Sequence, residues 1–503
     1  MLKPDRRMIV AGSAGTLLIA ISSWWLAGTP ASFRTHRPAL VSWLPRHSPV
    51  ASGVFFAGLA IVLLAWLWLG RTVLAEGNPV ELRALSVAWA TPMLLSMPFG
   101  RDLYSYAAQG RLVQLGYHPY RDSPAALPAR YAIEVSGRWL HTPAPYGPVW
   151  LEISRGINAV AHPHVPLATF LLRVPAFAGV LLTIWLLPRI AERFGLRADR
   201  ALWLAVANPV TVVLGLGGGH NDLFMVGLVV LGFAVALRRD TGWVALAIGS
   251  AVIGLAIVVK FPAALGLAFV VPLWLAGRAA SDRLRDAVGA SAVAVIAGGV
   301  AAGLATALTG LGIGWVHQAG ADNSIVNWQS IPTFAGMLAN TVSLDAARAT
   351  ELDATIRHAR SVGSAVAALV VVALWLQAVR RNYPRRGLLL LGIATVAVVL
   401  LGQTFQPWYL FWALPFLGLV AASGRWVTAL AAVCIAEAAL TMPDGRGLED
   451  RWVAVPVFAG AAALAWWFLG SAGRVPTQRD TDDTRAGVRA DDGTHLAGDY
   501  LPD

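Results

Sequence analysis

Lysine and cysteine are almost absent from this chain of 503 residues: Lys3 and Lys260 are the only lysines, and Cys434 is the only cysteine. A single cysteine excludes an internal disulfide, a cysteine-based metal site and a redox pair. Charge is scarce as well, at 13% of residues, where soluble domains carry roughly a quarter. Fixed-period repeats, a GxGxxG dinucleotide fingerprint and a P-loop lysine motif are missing, which disfavours nucleotide-driven chemistry. What is abundant is apolar: 57% of residues are hydrophobic and the mean hydropathy is +0.61, so the bilayer is the chain's main solvent. The net charge of +11 does not point to nucleic acid, because the arginines lie in short clusters between apolar runs and not in one basic domain.

A helix needs about 20 apolar residues to cross the hydrocarbon core. Apolar runs near 8–28, 50–70, 84–99, 166–188, 199–216, 221–237, 242–259, 261–278, 287–311, 361–379, 387–402, 407–422, 426–442 and 452–470 predict an all-α, polytopic transmembrane helical bundle of about fourteen spans. The first run is long for a signal-peptide core and is read as a retained helix. Arg6 and Arg7, Arg189 to Arg200, Arg238–Arg239, Arg278 to Arg285 and Arg380 to Arg386 fall on one side, which the positive-inside rule makes cytoplasmic. Arg34, Arg37 and Arg46 dissent, lying outside under this count. The opposite side carries two long polar segments, about 100–166 and 312–360, too long for simple turns. Residues 1–473 are thus expected to form the transmembrane unit, and the polar stretch 474–503 a disordered cytoplasmic tail.

The first exterior segment opens Phe99-Gly100-Arg101-Asp102-Leu103-Tyr104-Ser105-Tyr106 and runs through Gln109, Arg111 and Gly116-Tyr117-His118-Pro119-Tyr120 to Pro145-Tyr146-Gly147-Pro148. A carboxylate where a helix leaves the bilayer can take a proton from an incoming hydroxyl, so Asp102 is a candidate general base; an Arg101–Asp102 pair closing a helix end is the plain alternative. Gly217-Gly218-Gly219-His220-Asn221-Asp222 allows close backbone approach to a phosphate or sugar, or else makes a tight hairpin with an Asn or Asp cap. Lys260, before Phe261-Pro262, splits an apolar stretch, and a cation there meets an anion such as a lipid phosphate or snorkels to the interface. Asp322-Asn323-Ser324-Ile325-Val326-Asn327-Trp328-Gln329-Ser330-Ile331-Pro332 and Gln403-Thr404-Phe405-Gln406-Pro407-Trp408-Tyr409 combine amides with aromatics, which suits sugar recognition and equally suits an interfacial aromatic belt. Glu437 is an ionisable group within an apolar helix and receives no role.

Taken together, the aspartate leading the first exterior loop, the Gly-Tyr-His-Pro-Tyr segment and the Pro-Tyr-Gly-Pro turn resemble the multi-spanning GT-C glycosyltransferases. Gly217 to Asp222, Lys260-Phe261-Pro262, Asn323 to Pro332 and Gln406-Pro407-Trp408-Tyr409 narrow the resemblance to the actinobacterial polyprenyl-phosphomannose-dependent α-(1→6)-mannosyltransferases of lipomannan synthesis. That resemblance implies mannose on a polyprenyl phosphate as donor, a mannan glycolipid as acceptor, membrane lipid around both, and no soluble cofactor. It implies Asp102 as the base of an inverting transfer at the outer face of the plasma membrane. Lys260, His220, Arg111, His118 and Arg138 are the candidate donor-phosphate ligands, since cations must face the charge building on the leaving phosphate. Tyr104, Tyr106, Gln109, Tyr120, Tyr146, Asn221, Asp222, Asn323, Asn327, Trp328, Gln329, Gln406 and Trp408 are the expected sugar and acceptor contacts. No compact carboxylate cluster demands a metal, although Asp102 with Asp122 or Asp322 can still bind a divalent ion. Two apolar runs, 8–28 and 50–70, precede the run 84–99 that leads into Asp102, where in the simplest GT-C plan the aspartate follows the first helix. The alternatives are a GT-C enzyme using another lipid-phosphate sugar, such as arabinose, and a lipid or glycan transporter.

Overall fold

The computed structural model describes residues 3–31, 39–75, 79–238, 242–276, 283–320, 325–342, 352–380, 383–421, 424–442 and 451–470. The expected tail at 474–503, Arg34, Arg37, Arg239, Asp322 and Asn323 lie outside the described residues. Among the described residues every regular element is helical, in keeping with an all-α architecture.

We label the longer helices in chain order: α1 Arg6–Leu26, α2 Pro49–Leu74, α3 Arg83–Ala90, α4 Asp102–Gln114, α5 Pro148–Ala161, α6 Arg173–Arg193, α7 Asn221–Ala236 and α8 Gly242–Ile257. There follow α9 Ala264–Leu275, α10 Arg283–Thr309, α11 Ile331–Val342, α12 Ala354–Arg380, α13 Pro384–Leu401, α14 Leu410–Val420, α15 Arg425–Leu440 and α16 Arg451–Leu469. Proline opens α2, α5 and α13, where its missing N–H has no intrahelical partner to lose. Helices adjacent in sequence pack in pairs, α1 on α2, α7 on α8, α12 on α13 and α15 on α16, while α6 packs on α7 and α8 on α10. Small residues set the closest contacts: a Cβ at Gly15 would lie 2.9 Å from the carbonyl oxygen of Gly58, so α1 and α2 touch backbone to backbone.

Among the described residues six helices are long and apolar enough to cross a membrane, or seven if the bent pair Ala198–Val206 and Val210–Leu216 is one span. Five more of the fourteen apolar runs fold as shorter apolar helices of 10–17 residues. The run 84–99 is not one helix. Pro92 and Pro98 interrupt it, leaving eight residues of α3, a tight turn at Thr91–Leu95 and an extended exit to Phe99. The bent pair breaks by 44° at Asn208-Pro209, and Asn208 repairs the break by donating to the Leu204 carbonyl and accepting from the Val210 N–H.

The first long polar segment is a structured layer. Its helices α4 and α5 lie so close at Gly110 that a Cβ there would stand 2.4 Å from the Ser154 carbonyl carbon. Asn158 of α5 donates to the Ala107 carbonyl of α4, which fixes their register. Of the second segment, the described parts include the short helix Gly314–Gly320 and α11.

Candidate active site

Four of the sequence motifs turn out to share one structural property: each opens a helix, and the openings converge. Asp102 is the first residue of α4, His220 immediately precedes α7, Lys260 precedes the turn Phe261–Ala263 that leads into α9, and Gln406 precedes the turn Pro407–Tyr409 that leads into α14. Helix N-termini present unpaired N–H groups and the positive end of the helix dipole, so this convergence favours an anion.

The centre is a charge network. Lys260 Nζ donates to both oxygens of Asp222, at 2.7 and 2.8 Å, and the Trp412 indole N–H donates to the same carboxylate at 2.8 Å. Asp222 is wholly buried and Lys260 nearly so. The ammonium stands 4.9 Å from the centre of the Tyr409 ring, 5.7 Å from Trp412 and 5.8 Å from Tyr146, so aromatic faces complete its surroundings. His220 Nδ1 lies 3.4 Å from Asp102 Oδ2, an ion-pair separation too long for a strong hydrogen bond. The His220 ring stacks on Trp408 at 3.5 Å with the planes 10° apart. Tyr106 and Tyr146 meet edge to face at 5.2 Å beside this network.

Glycines make this geometry possible. A Cβ at Gly218 would come within 2.2 Å of His220 Nε2, and Gly219 has φ +63, a conformation other residues rarely adopt. The Pro145-Tyr146-Gly147-Pro148 turn rests on the turn that ends α8: Gly147 and Val149 donate to the Val259 and Val258 carbonyls, and a Cβ at Gly147 would sit 2.1 Å from the Val258 oxygen. Tyr146 is thereby held next to Lys260.

The Asp102 side chain is 25% exposed, open to a reactant. Burial pushes its carboxyl up, but the close approach and charge of His220, the charge of Lys260 and a contact from Trp139 outweigh this and hold it below the ordinary value. Asp102 is thus ionised at neutral pH. Burial raises the Tyr106 and Tyr146 hydroxyls well above the usual phenol range, so both remain donors.

Arg101 does not pair with Asp102, as the plain reading had it. Its guanidinium reaches the Glu134 carbonyl at 2.9 Å and carboxylate at 3.3 Å, and that carboxylate also accepts from the Ala31 N–H. This leaves Asp102 to His220.

The sequence-selected residues divide into two groups. Asp102, His220, Asp222, Lys260, Tyr106, Tyr146 and Trp408 gather as described, and Gln406 is half-buried at the entrance to the Trp408 turn. Asn221 is fully buried between His220 and Asp222, and its amide oxygen and nitrogen both lack a hydrogen-bond partner. Arg111 is elsewhere: nine residues along α4 from Asp102, about 13 Å by the helical rise, it donates to Gln114 and lies over the Tyr131 ring. His118 folds against Tyr120, and its backbone N–H is taken by Asp122. Arg138 lies exposed in the short helix Gly137–Leu140, beside Trp139. Tyr104 points to the end of α1 and donates to the Gly28 carbonyl at 2.7 Å. Gln109 is buried with its amide oxygen unpaired, and Tyr120 packs against Trp315 in a separate cluster. Asn327 donates to the Phe405 carbonyl and Gln329 to the Glu437 carboxylate, so both amides tie segments together, while Trp328 is half-buried. Sequence reasoning missed Trp139 and Trp412, because a lone tryptophan carries no positional signal without the partner that its indole meets.

No group of three or more His, Cys, Asp or Glu side chains among the described residues is arranged to hold a metal. Asp222 already gives both oxygens to Lys260 and Trp412, and Asp122 caps its own turn. Asp322, the other carboxylate considered beside Asp102, lies outside the described residues.

The profile described as "Alpha-(1->6)-mannopyranosyltransferase, N-terminal domain" matches residues 9–276, and that described as "MptB C-terminal domain" matches 332–470. Alpha-(1->6)-mannopyranosyltransferase A of Mycobacterium tuberculosis is 32% identical over 470 residues, covering 91% of this chain and 89% of the relative. A probable alpha-(1->6)-mannopyranosyltransferase of Mycolicibacterium smegmatis is 31% identical over 81% of this chain and 78% of its own length. Alpha-(1->6)-mannopyranosyltransferase B of Corynebacterium glutamicum is 27% identical over 91% and 81%. No solved structure matches. A profile spanning more than half of the chain and a relative aligned over nine-tenths of both lengths agree on one assignment: the chain belongs to the alpha-(1→6)-mannopyranosyltransferase family of glycosyltransferases.

Proposed function

We propose that this enzyme transfers mannose from a polyprenyl-phosphate donor to a hydroxyl of a mannan glycolipid, with inversion, forming α-(1→6) linkages at the outer face of the plasma membrane. The observation that carries this reading is the partly open Asp102 set beside His220, with Lys260 nearby, where helix N-termini converge. Asp102 takes the proton of the acceptor hydroxyl as its oxygen attacks the anomeric carbon. The bond from that carbon to the phosphate oxygen breaks, and its electron pair leaves with the lipid phosphate. Inversion carries a β-linked donor to an α product. Lys260 has three ammonium hydrogens and Asp222 occupies two directions, leaving one for a phosphate oxygen. His220, held flat on Trp408, adds a second polar contact, and the helix N-termini stabilise the charge that grows on the leaving group.

Trp408 and Tyr146, both half-buried, present ring surface suited to a hexose. In this reading the six long helices and the shorter apolar helices all cross, towards the fourteen spans expected, with the layer of α4 and α5 on the exterior side. The arginine clusters support a cytoplasmic position for the end opposite Asp102. The test is donor choice: purified enzyme with a short mannan glycolipid acceptor is offered polyprenyl-phosphomannose, polyprenyl-phosphoarabinose or GDP-mannose in separate reactions. Transfer from the first alone is expected. Transfer from GDP-mannose would overturn the lipid-donor reading, and transfer from the arabinose donor would overturn the sugar.

A further inference from the structure

A cavity of about 650 Å³ opens between the C-terminal ends of α6 and α7. It lies at the end of these helices away from His220, since both run from the site towards it: Arg173 at the start of α6 donates to the Gly217 carbonyl, and Arg193 at its end donates to that of Leu237. The two helices touch at backbone distance near Gly179 and Gly227, where a Cβ on Gly227 would meet the Gly179 Cα at 2.5 Å. The cavity begins about two turns beyond that contact, with Leu186, Ile190 and Leu231 as its apolar floor.

Its rim is cationic. Arg189, Arg193 and Arg238 line it, with Glu192 as the only carboxylate among the described residues. Arg189 and Arg238 are exposed, and neither forms an ion pair among the described residues. The carbonyl end of α7 draws Arg193 inward, while Arg189 and Arg238 stay exposed at the mouth of the cavity. Exposed Trp185, one turn before Arg189 and carrying Arg83 over its ring at 5.5 Å, has the amphipathic character of a residue at headgroup depth.

An apolar floor between helices with arginines at its mouth matches a lipid whose phosphate meets the guanidinium groups while its chains lie against leucine and isoleucine. We infer that this cavity is a binding site for an anionic phospholipid of the leaflet opposite the active site. It uses none of the residues assigned to transfer.

The full-length enzyme in neutral detergent is titrated with phosphatidylglycerol, phosphatidylcholine or inorganic phosphate, following its thermal unfolding midpoint and bound lipid by native mass spectrometry. Wild type should take up phosphatidylglycerol saturably, with a rise in midpoint that the other two do not produce. The double variant Arg189→Gln/Arg238→Gln, altered only at exposed side chains, should bind about thirtyfold more weakly. Leu231→Trp, which fills the floor and keeps the charge, should lose the lipid as well. Equal binding by the double variant, equal binding of phosphatidylcholine, or an equal shift with inorganic phosphate would each overturn the assignment.

Discussion

Removing Lys260 alone should cost the protein more than removing Lys260 and Asp222 together. Asp222 has no exposed side-chain surface and meets the ammonium with both oxygens at 2.7 and 2.8 Å. In Lys260→Met its charge keeps one neutral donor, the Trp412 indole, and nothing cationic at contact distance. Breaking a buried pair on one side typically costs about 3–5 kcal/mol, because an uncompensated charge remains in low dielectric. Lys260→Met/Asp222→Asn removes both charges and keeps the Trp412 donor paired, so most of that loss should return, giving a coupling of about 2–3 kcal/mol. The assay is denaturant or thermal unfolding of the purified single and double variants in one detergent, with mannose transfer measured in parallel. Stability should recover in the double variant, and transfer should not, since the donor phosphate has lost its cation. A Lys260→Met protein within about 1 kcal/mol of wild type would refute the claim that the pair neutralises the core of the site. Recovered transfer in the double variant would refute the phosphate role.

Other consequences follow from the same geometry. Because its folded-state pKa is depressed, Asp102 is present as a base above that value and lost below it, so the acid limb of the transfer rate should lie below the ordinary carboxylate range. Replacing His220 with Gln removes the main lowering influence and should shift that limb upward, a change read from the pH profile of kcat/KM. Gly147→Ala forces a methyl to 2.1 Å from the Val258 oxygen, so the Tyr146 turn must lift from Lys260; transfer should fall at least tenfold, measured at saturating donor. Arg111→Gln should leave kcat within about twofold, because its guanidinium serves Gln114 and Tyr131; a hundredfold loss would place Arg111 in the reaction after all.

The helical class and the gathering of Asp102, His220, Asp222 and Lys260 were legible in the sequence because polar residues within apolar surroundings need partners, and there were few to choose from. Helix breaks at Pro92, Pro98 and Pro209 were visible as prolines, yet run-length reading smoothed over them, and the 84–99 run became a short helix and a turn. The pairing of Lys260 with Asp222 was not legible: 38 residues separate them, and an isolated lysine suggests a ligand as readily as a carboxylate. Long polar loops misled in another way. Arg111, Tyr104, Asn327 and Gln329 have the chemistry of sugar or phosphate contacts, but folded segments must also satisfy their own carbonyls, carboxylates and side-chain amides, and these four do that. Arg101 is the clearest case, since its neighbour in sequence is Asp102 and its partner in space is Glu134.

The central claim is that Asp102 is the base of a lipid-donor mannosyl transfer. Wild type and Asp102→Asn, purified in parallel and checked for equal folding and donor binding, are incubated with polyprenyl-phosphomannose and a mannan glycolipid acceptor, and elongated product is scored by mass spectrometry. The amide keeps the shape of the carboxylate and removes its basicity, so wild type should elongate the acceptor while the variant binds donor and transfers at least a hundredfold more slowly. Elongation by both at similar rates would contradict the assignment of Asp102 as base.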